Sequence, residues 1–161
     1  MKIPFSKVDC SGNELKYIQE VLESGWLTTA SKSKSFEDKF ATMLGVSHAC
    51  AVNSCTSALH LALEAVGVER GDKVLVPSMT FTATAEVVCY LGADPIFLDV
   101  DYATSQLSKE IVERGLELYP DAKVVIVVDF AGQPAPLLMD LCHQKGVKLI
   151  ADAAHSFPSR L

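Results

Sequence analysis

The sequence has 161 residues, a formal net charge of −6 at pH 7, 49% hydrophobic residues and 21% charged residues. This length suffices for one domain with a buried core, and the composition is that of an ordinary globular protein. The acidic balance, with only three arginines, argues against binding to a nucleic-acid backbone. The longest apolar run, Val124–Val128, is far shorter than the ~18 residues that a membrane span needs. We therefore expect neither a nucleic-acid nor a membrane partner.

The N-terminal segment has no apolar signal-peptide region, so we expect a cytoplasmic protein. The five cysteines are odd in number and include no C-x-x-C pair, which argues against a disulfide framework or a structural zinc site. Their simplest interpretation is as small buried residues of a protein in a reducing compartment. No residue is assigned to a metal.

The first part of the chain predicts two helices joined by a loop. A capping-box pattern, Ser11-Gly12-Asn13-Glu14, precedes an apolar helical stripe that runs to Gly25. A polar loop follows to Ser35, and a second helical stripe ends at Gly45. These helices precede any predicted strand, so we interpret residues 1–47 as a helical arm with an active-site loop.

From residue 48 onward, short apolar runs alternate with longer amphipathic ones. This alternation predicts an α/β domain over residues 48–161, with a largely parallel sheet covered by helices. The predicted strands are Ala49–Asn53, Lys73–Val76, Pro95–Leu98, Lys123–Val128 and Lys148–Ala151. The predicted helices are Thr56–Val66, Thr82–Leu91, Ser108–Leu118 and Pro136–Lys145.

Small hydroxyl residues precede the first helix of this domain, in the run Asn53-Ser54-Cys55-Thr56-Ser57. A strand that enters a helix through such residues directs free backbone N–H groups and the positive helix end at one point. The run therefore suits a phosphate group, although the same hydroxyls also suit a simple helix cap. The glycine-rich patterns of P-loop and dinucleotide sites are absent, so no nucleotide site is predicted there.

Two other segments put chemically useful groups at predicted strand ends. Phe81, in the run Pro77-Ser78-Met79-Thr80-Phe81, offers either a flat face for a planar cofactor or a core side chain. Asp152 ends the last strand and His155 follows three residues later. Strand ends are where open α/β sheets bind ligands, and a buried carboxylate can hold a ring nitrogen protonated. The simpler alternatives are a helix N-cap and a partly buried histidine.

In order and spacing, these segments resemble the N-terminal half of the DegT/DnrJ/EryC1/StrS family of pyridoxal-phosphate-dependent nucleotide-sugar aminotransferases. The matching runs include Gly25-Trp26-Leu27-Thr28-Thr29, Thr56-Ser57-Ala58-Leu59, Gly71-Asp72-Lys73-Val74, Gly92-Ala93-Asp94-Pro95, Ala131-Gly132-Gln133-Pro134 and Asp152-Ala153-Ala154-His155. The resemblance implies the three-layer, largely parallel sheet of the large domain of fold-type I aminotransferases, incomplete at the C-terminus. It also implies amino transfer, commonly from glutamate, to a nucleotide-linked keto sugar in polysaccharide biosynthesis, by a homodimer.

The resemblance implies a role for each of five residues around pyridoxal phosphate. Thr56 and Ser57 would bind the phosphate, and Phe81 would stack on the pyridine ring. Asp152 would pair with the ring nitrogen, so that the ring acts as an electron sink, and His155 would approach the ring hydroxyl.

Thr28 and Thr29 match a loop that borders the sugar site in such enzymes, where Ala30 replaces a common glycine. Cys55 also replaces a common glycine, and Asp129 replaces a frequent histidine. None of these departures excludes the cofactor.

The family's Schiff-base lysine lies downstream of these segments, and none of the eleven lysines matches its position. We therefore expect no catalytic residue here, and no aminotransferase activity unless a complementary C-terminal polypeptide supplies that amine. The alternatives are a related pyridoxal-phosphate sugar dehydratase, in which histidine replaces the lysine, and a non-catalytic binding or interaction module. The resemblance further implies that strand Ala49–Asn53 lacks its usual neighbours and that the strand ending at Asp152 has an open edge.

Overall fold

The computed structural model describes residues 7–136 and 138–159. These residues fall into two compact units that divide between Ala51 and Val52. The sequence analysis divides the chain into an arm, residues 1–47, and an α/β domain, residues 48–161. This division, and the role of the arm in an active site, stay predictions.

The first unit contains helix α1, Glu14–Ser24, and helix α2, Ser31–Leu44. Each helix ends at a glycine in the left-handed conformation, Gly25 and Gly45, both with a φ of 68°. Glycine adopts this conformation at little cost because it has no Cβ. Both helices end at the glycine that the sequence predicts, so the predicted helix ends are confirmed.

The predicted starts of both helices are wrong. The capping box does not form: Ser11 donates its backbone N–H to Asp9 Oδ1 at 3.0 Å, which holds it in a turn before the helix. Helix α2 includes Ser31–Ser35, which the sequence placed in a loop. An ion pair between Lys34 and Asp38, at 2.9 Å and one turn apart, supports this polar first part of the helix.

The second unit is an alternating α/β domain. Its elements are α3 Cys55–Ala65, β1 Lys73–Pro77, α4 Ala83–Tyr90, β2 Asp94–Leu98, α5 Lys109–Leu118, β3 Ala122–Val128, α6 Met139–Lys145 and β4 Lys148–Asp152. The four strands pair in parallel in the order β2-β1-β3-β4. The predicted largely parallel sheet is confirmed.

Two predicted elements differ from the structure. Residues 49–53 form no strand, because an apolar run becomes a strand only where another strand accepts and donates its backbone hydrogen bonds, and the described residues offer it none. Helix α6 begins at Met139 instead of Pro136, because the backbone N–H of Ala135 bonds the carboxylate of Asp129 at 2.8 Å in a non-helical segment.

The sheet is covered on both faces, as a three-layer fold requires. On one face, Val74, Val76, Val124 and Ile126 pack with the buried side chains of α3 and α4. On the other face, Leu75, Val125 and Val127 pack with those of α5 and α6. Alternate residues of a strand point to opposite faces, so each central strand contributes to both cores.

The expectation that the cysteines are buried is wrong for four of the five. Cys10, Cys50, Cys55 and Cys89 are exposed, Cys142 is buried, and all five are free thiols. Four of these side chains lie on helix ends, loops or outer helix faces, where small size does not lead to burial.

Across residues 7–136 and 138–159, no helix has both the length and the apolar character needed to cross a membrane.

Helix α5 approaches the sheet closely at Gly115. A Cβ added there would lie 2.8 Å from Leu98 Cδ1 and 2.9 Å from Leu98 Cδ2. Gly115→Ala should therefore lower the free energy of unfolding by about 1 kcal/mol, because overpacking costs ~1–3 kcal/mol and the gain in helix propensity is only ~0.5–1 kcal/mol. Urea unfolding measures this change. Combining it with Leu98→Val should cost less than the sum of the two single changes, and an unchanged or raised stability for Gly115→Ala would contradict the packing argument.

Candidate functional site

The carboxylate of Asp152 is the centre of the hydrogen bonds at the carboxyl edge of the sheet. Asp152 is 7% exposed at the end of β4. Its Oδ1 accepts bonds from Cys55 Sγ at 3.4 Å and from the Ala154 backbone N–H at 3.2 Å. Its Oδ2 accepts a bond from Thr84 Oγ1 at 3.1 Å. One side chain therefore joins the start of α3, the body of α4 and the turn that follows β4.

Cys55, the first residue of α3, is held as a neutral donor in this arrangement. Cys55 is exposed as a residue, but its sulfur is partly buried against Asp152. This partial burial, followed by the negative charge of Asp152 and the hydrogen bond to it, raises the pKa of the Cys55 thiol to about 11. A helix N-terminus ordinarily lowers a thiol pKa, so burial and the neighbouring carboxylate outweigh the helix here. The thiol keeps its proton near neutral pH and donates it to Asp152.

Three of the predicted site residues line one pocket. Phe81, Asp152 and His155 border a cavity of about 60 Å³ beside Asp129 and Thr80. Phe81 is 75% exposed, so its ring presents a face to this edge and is not a core side chain. His155 is also exposed, in the turn after β4. The parallel sheet brings these groups together because β1 and β4 end at the same edge.

Thr56 and Ser57 lie in the first turn of α3 and do not line that pocket. The helix-cap alternative is realised: Ser54 Oγ accepts the Ser57 backbone N–H at 3.1 Å, and Ser57 Oγ donates to Asn53 Oδ1 at 2.9 Å. The backbone N–H groups of Cys55 and Thr56 have no acceptor within the helix, since first-turn donors have no preceding carbonyl to bond. The cap therefore leaves donors for an anion at the same helix end.

Thr28 and Thr29 belong to the first unit, in the loop between α1 and α2. Both are exposed. The indole N–H of Trp26 donates to the Thr29 carbonyl at 3.3 Å and closes this short loop on itself. A substrate role for the two threonines remains a prediction.

The sequence analysis did not identify the contacts that Thr84 and Asp129 make at this site. Thr84 is fully buried, yet its hydroxyl bonds Asp152, and it lies 2.7 Å from the hydroxyl of Thr80, four residues earlier in the chain. Asp129 accepts the Ser156 hydroxyl at one carboxylate oxygen and the Ala135 N–H at the other, so it joins two loops. The four-residue spacing of the threonines was a detectable signal, whereas nothing local links Asp129 to Ser156.

A parallel three-layer α/β domain with a buried carboxylate, an aromatic face and a helix N-terminus at its carboxyl edge has the architecture of fold-type I pyridoxal-phosphate aminotransferases. The chain belongs to the DegT/DnrJ/EryC1/StrS aminotransferase family, whose model matches residues 9–161.

Solved structures of related proteins share this fold. The aminotransferase TlmJ from Streptoalloteichus hindustanus is 37% identical with a TM-score of 0.80, and covers 92% of this chain and 41% of its own. A 3-amino-5-hydroxybenzoic acid synthase is 35% identical with a TM-score of 0.87, and the match covers 98% of this chain and 41% of the synthase. NtdA from Bacillus subtilis, with bound cofactor PMP, is 26% identical with a TM-score of 0.85, covering 91% and 34%. The chain thus spans about two fifths of the length of the first two and a third of the last.

The raised pKa of Cys55 predicts that its thiol is alkylated slowly. With a pKa of about 11, its thiolate fraction at pH 8 should be roughly 200-fold below that of a model thiol of pKa ~8.5. Its alkylation should therefore be about 10-fold slower or more, since the higher nucleophilicity of a more basic thiolate offsets part of this difference. Iodoacetamide labelling followed by peptide mass spectrometry measures the rate at each cysteine. Asp152→Asn should speed labelling of Cys55 by removing the negative charge. Labelling of Cys55 as fast as the exposed Cys10 would contradict the assigned environment.

Asp129 should stabilise the two loops that it joins. Asp129→Ala removes the acceptor of the Ala135 N–H and the Ser156 hydroxyl, so it should lower the free energy of unfolding by about 1–3 kcal/mol. Hydrogen exchange at the Ala135 amide should accelerate with it. Asp129→Asn keeps one carbonyl oxygen and should retain the protection of Ala135. Unchanged exchange in the alanine variant would show that this bond does not hold the loop.

Proposed function

We propose that this chain forms the N-terminal part of a pyridoxal-phosphate-dependent sugar aminotransferase. The observation that carries the proposal is a buried carboxylate at a strand end, Asp152, facing the same pocket as the exposed ring of Phe81. Membership of an aminotransferase family, and similarity to a protein with bound PMP, support the choice of cofactor.

The donor set around Asp152 fits the ring nitrogen of this cofactor. All three hydrogen bonds at Asp152 are donated to its oxygens, so the side chain acts as an acceptor, as a partner for a protonated ring nitrogen must. When bound, pyridoxal phosphate supplies an electron-withdrawing ring that eases bond breaking at a substrate carbon. Asp152 would keep the ring nitrogen protonated, Phe81 would fix the ring plane, and His155 would meet the ring hydroxyl.

The first turn of α3 fits the phosphate. Backbone N–H groups of Cys55 and Thr56, the hydroxyl of Thr56 and the positive end of the helix offer an anion neutral donors, and the Ser57 hydroxyl would join them by turning away from Asn53 Oδ1. Ser54 already satisfies the N–H of Ser57, so the cradle is ordered before a ligand arrives.

For the whole enzyme we propose transfer of an amino group from glutamate to a nucleotide-linked keto sugar, with Thr28 and Thr29 beside the sugar. The family resemblance supports a homodimer, and five free thiols support a cytoplasmic location. The 35% identity to 3-amino-5-hydroxybenzoic acid synthase supports a second product class, an aminobenzoic acid. Formation of an amino sugar but not of an aminobenzoic acid, by the complete enzyme, would select the first.

No lysine lines the described pocket. We therefore propose that residues 1–161 hold the cofactor without a covalent bond, and that turnover requires an amine from other residues or from a complementary polypeptide. Measurable conversion of a keto sugar by the purified chain alone would contradict this part of the proposal.

Titration with pyridoxal phosphate tests the cofactor proposal directly. The purified protein should show saturable absorbance and fluorescence changes, and borohydride should not fix the cofactor to the protein. Asp152→Asn should weaken binding by about 10-fold or more, because it removes a charged hydrogen-bond partner worth ~1.5–3 kcal/mol. Asp121→Asn, at the opposite edge before β3, is the matched control and should leave the dissociation constant unchanged.

Absence of saturable binding would overturn the cofactor assignment. Reduction by borohydride onto a lysine of this chain would overturn the proposal that the amine comes from elsewhere.

A further inference from the structure

Thr84 is a buried polar side chain whose hydroxyl serves the carboxylate that the proposed function assigns to the cofactor. It is 0% exposed on α4. Its Oγ1 lies 3.1 Å from Asp152 Oδ2 and 2.7 Å from Thr80 Oγ1. A threonine that only filled the core would not need both contacts.

The direction of these two bonds follows from the number of protons. A hydroxyl has one hydrogen, and an ionised carboxylate can only accept. Since Thr84 donates its hydrogen to Asp152, the bond between the two threonines must be donated by Thr80. The three side chains form a one-way relay, from Thr80 to Thr84 to Asp152.

The two oxygens of Asp152 are unequally used. Oδ1 accepts two hydrogen bonds, from Cys55 and Ala154, whereas Oδ2 accepts one, from Thr84. A carboxylate has about two acceptor positions on each oxygen, so Oδ2 retains one. Among the groups described, that free position is the acceptor that a protonated ring nitrogen would use.

The relay also reaches the aromatic face. Thr80 directly precedes Phe81, and both border the pocket of Asp152. A bond that fixes Thr80 therefore limits the movement of the segment that carries the ring.

We propose that Thr84, supported by Thr80, is the positioning residue that orients Asp152 Oδ2 toward the cofactor ring nitrogen and holds the Phe81 segment in register with it. This inference rests on the proposed function, because it assigns a task within the same cofactor site.

The test compares Thr84→Val, which keeps shape and removes the hydroxyl, with Thr84→Ser, which keeps the hydroxyl. Thr84→Val should bind pyridoxal phosphate about 10-fold more weakly, the loss expected when a hydrogen bond to a charged group is removed. Nitrogen-15 NMR of ring-labelled pyridoxal phosphate should show the ring nitrogen shifted toward its neutral form at the same pH. Thr84→Ser should match the unmodified protein in both measurements. Thr82→Val, an exposed threonine at the start of the same helix, is the control and should change neither.

The outcomes separate the two proposals. If the unmodified protein does not bind pyridoxal phosphate, the proposed function fails and this inference fails with it. If the unmodified protein binds and Thr84→Val has the same affinity and nitrogen resonance, only the inference fails. Should Thr84→Val not fold, Thr80→Val must show a smaller change in the same direction, and an unchanged Thr80→Val then overturns the relay.

Discussion

A buried carboxylate must have donors, and this requirement organises the carboxyl edge of the sheet. Asp152 obtains its donors from three places in the chain: the first residue of α3, the second residue of α4 and the turn after β4. Removing a charge from water is costly unless hydrogen bonds replace the lost hydration. The carboxylate therefore fixes the positions of the segments around it as much as they fix the carboxylate, and the same bonds that stabilise the fold also prepare the site.

Asp129 directly follows β3, and Asp152 ends the neighbouring parallel strand β4, but the two carboxylates bond different segments. Both carboxylates border the pocket, but Asp152 accepts bonds from α3, α4 and the turn after β4, whereas Asp129 accepts bonds from the Ala135 N–H and the Ser156 hydroxyl of two loops. Gly132 lies in one of the two loops that Asp129 joins, and its φ is 84°. A Cβ added there would also lie 3.1 Å from the His155 carbonyl oxygen, so a larger residue would strain the backbone. Asp129 thus holds the turn that carries His155.

The sequence predicts the elements of the fold well where their formation depends on local residue pattern. It predicts them less well where an element needs a pairing strand from elsewhere in the chain. Apolar runs between glycine turns gave β1 to β4 within one residue at each end, because a buried parallel strand is apolar on both faces. The run at residues 49–53 has the same character but forms no strand, since pairing depends on a neighbour elsewhere. The same holds for the site: the predicted strand ends pointed to Asp152 and Phe81 as candidates, whereas nothing in the local sequence assigned a role to Thr84, whose contact with Asp152 joins residues 68 positions apart.

Cys55 shows how the carboxylate of Asp152 controls the protonation of a neighbouring side chain. The thiol is kept protonated, because partial burial of its sulfur and the charge of Asp152 raise its pKa to about 11. On the proposed function, the residue that replaces a common glycine adds a donor to the essential carboxylate without adding a reactive nucleophile. The same carboxylate that would keep the cofactor ring nitrogen protonated also keeps the Cys55 thiol protonated.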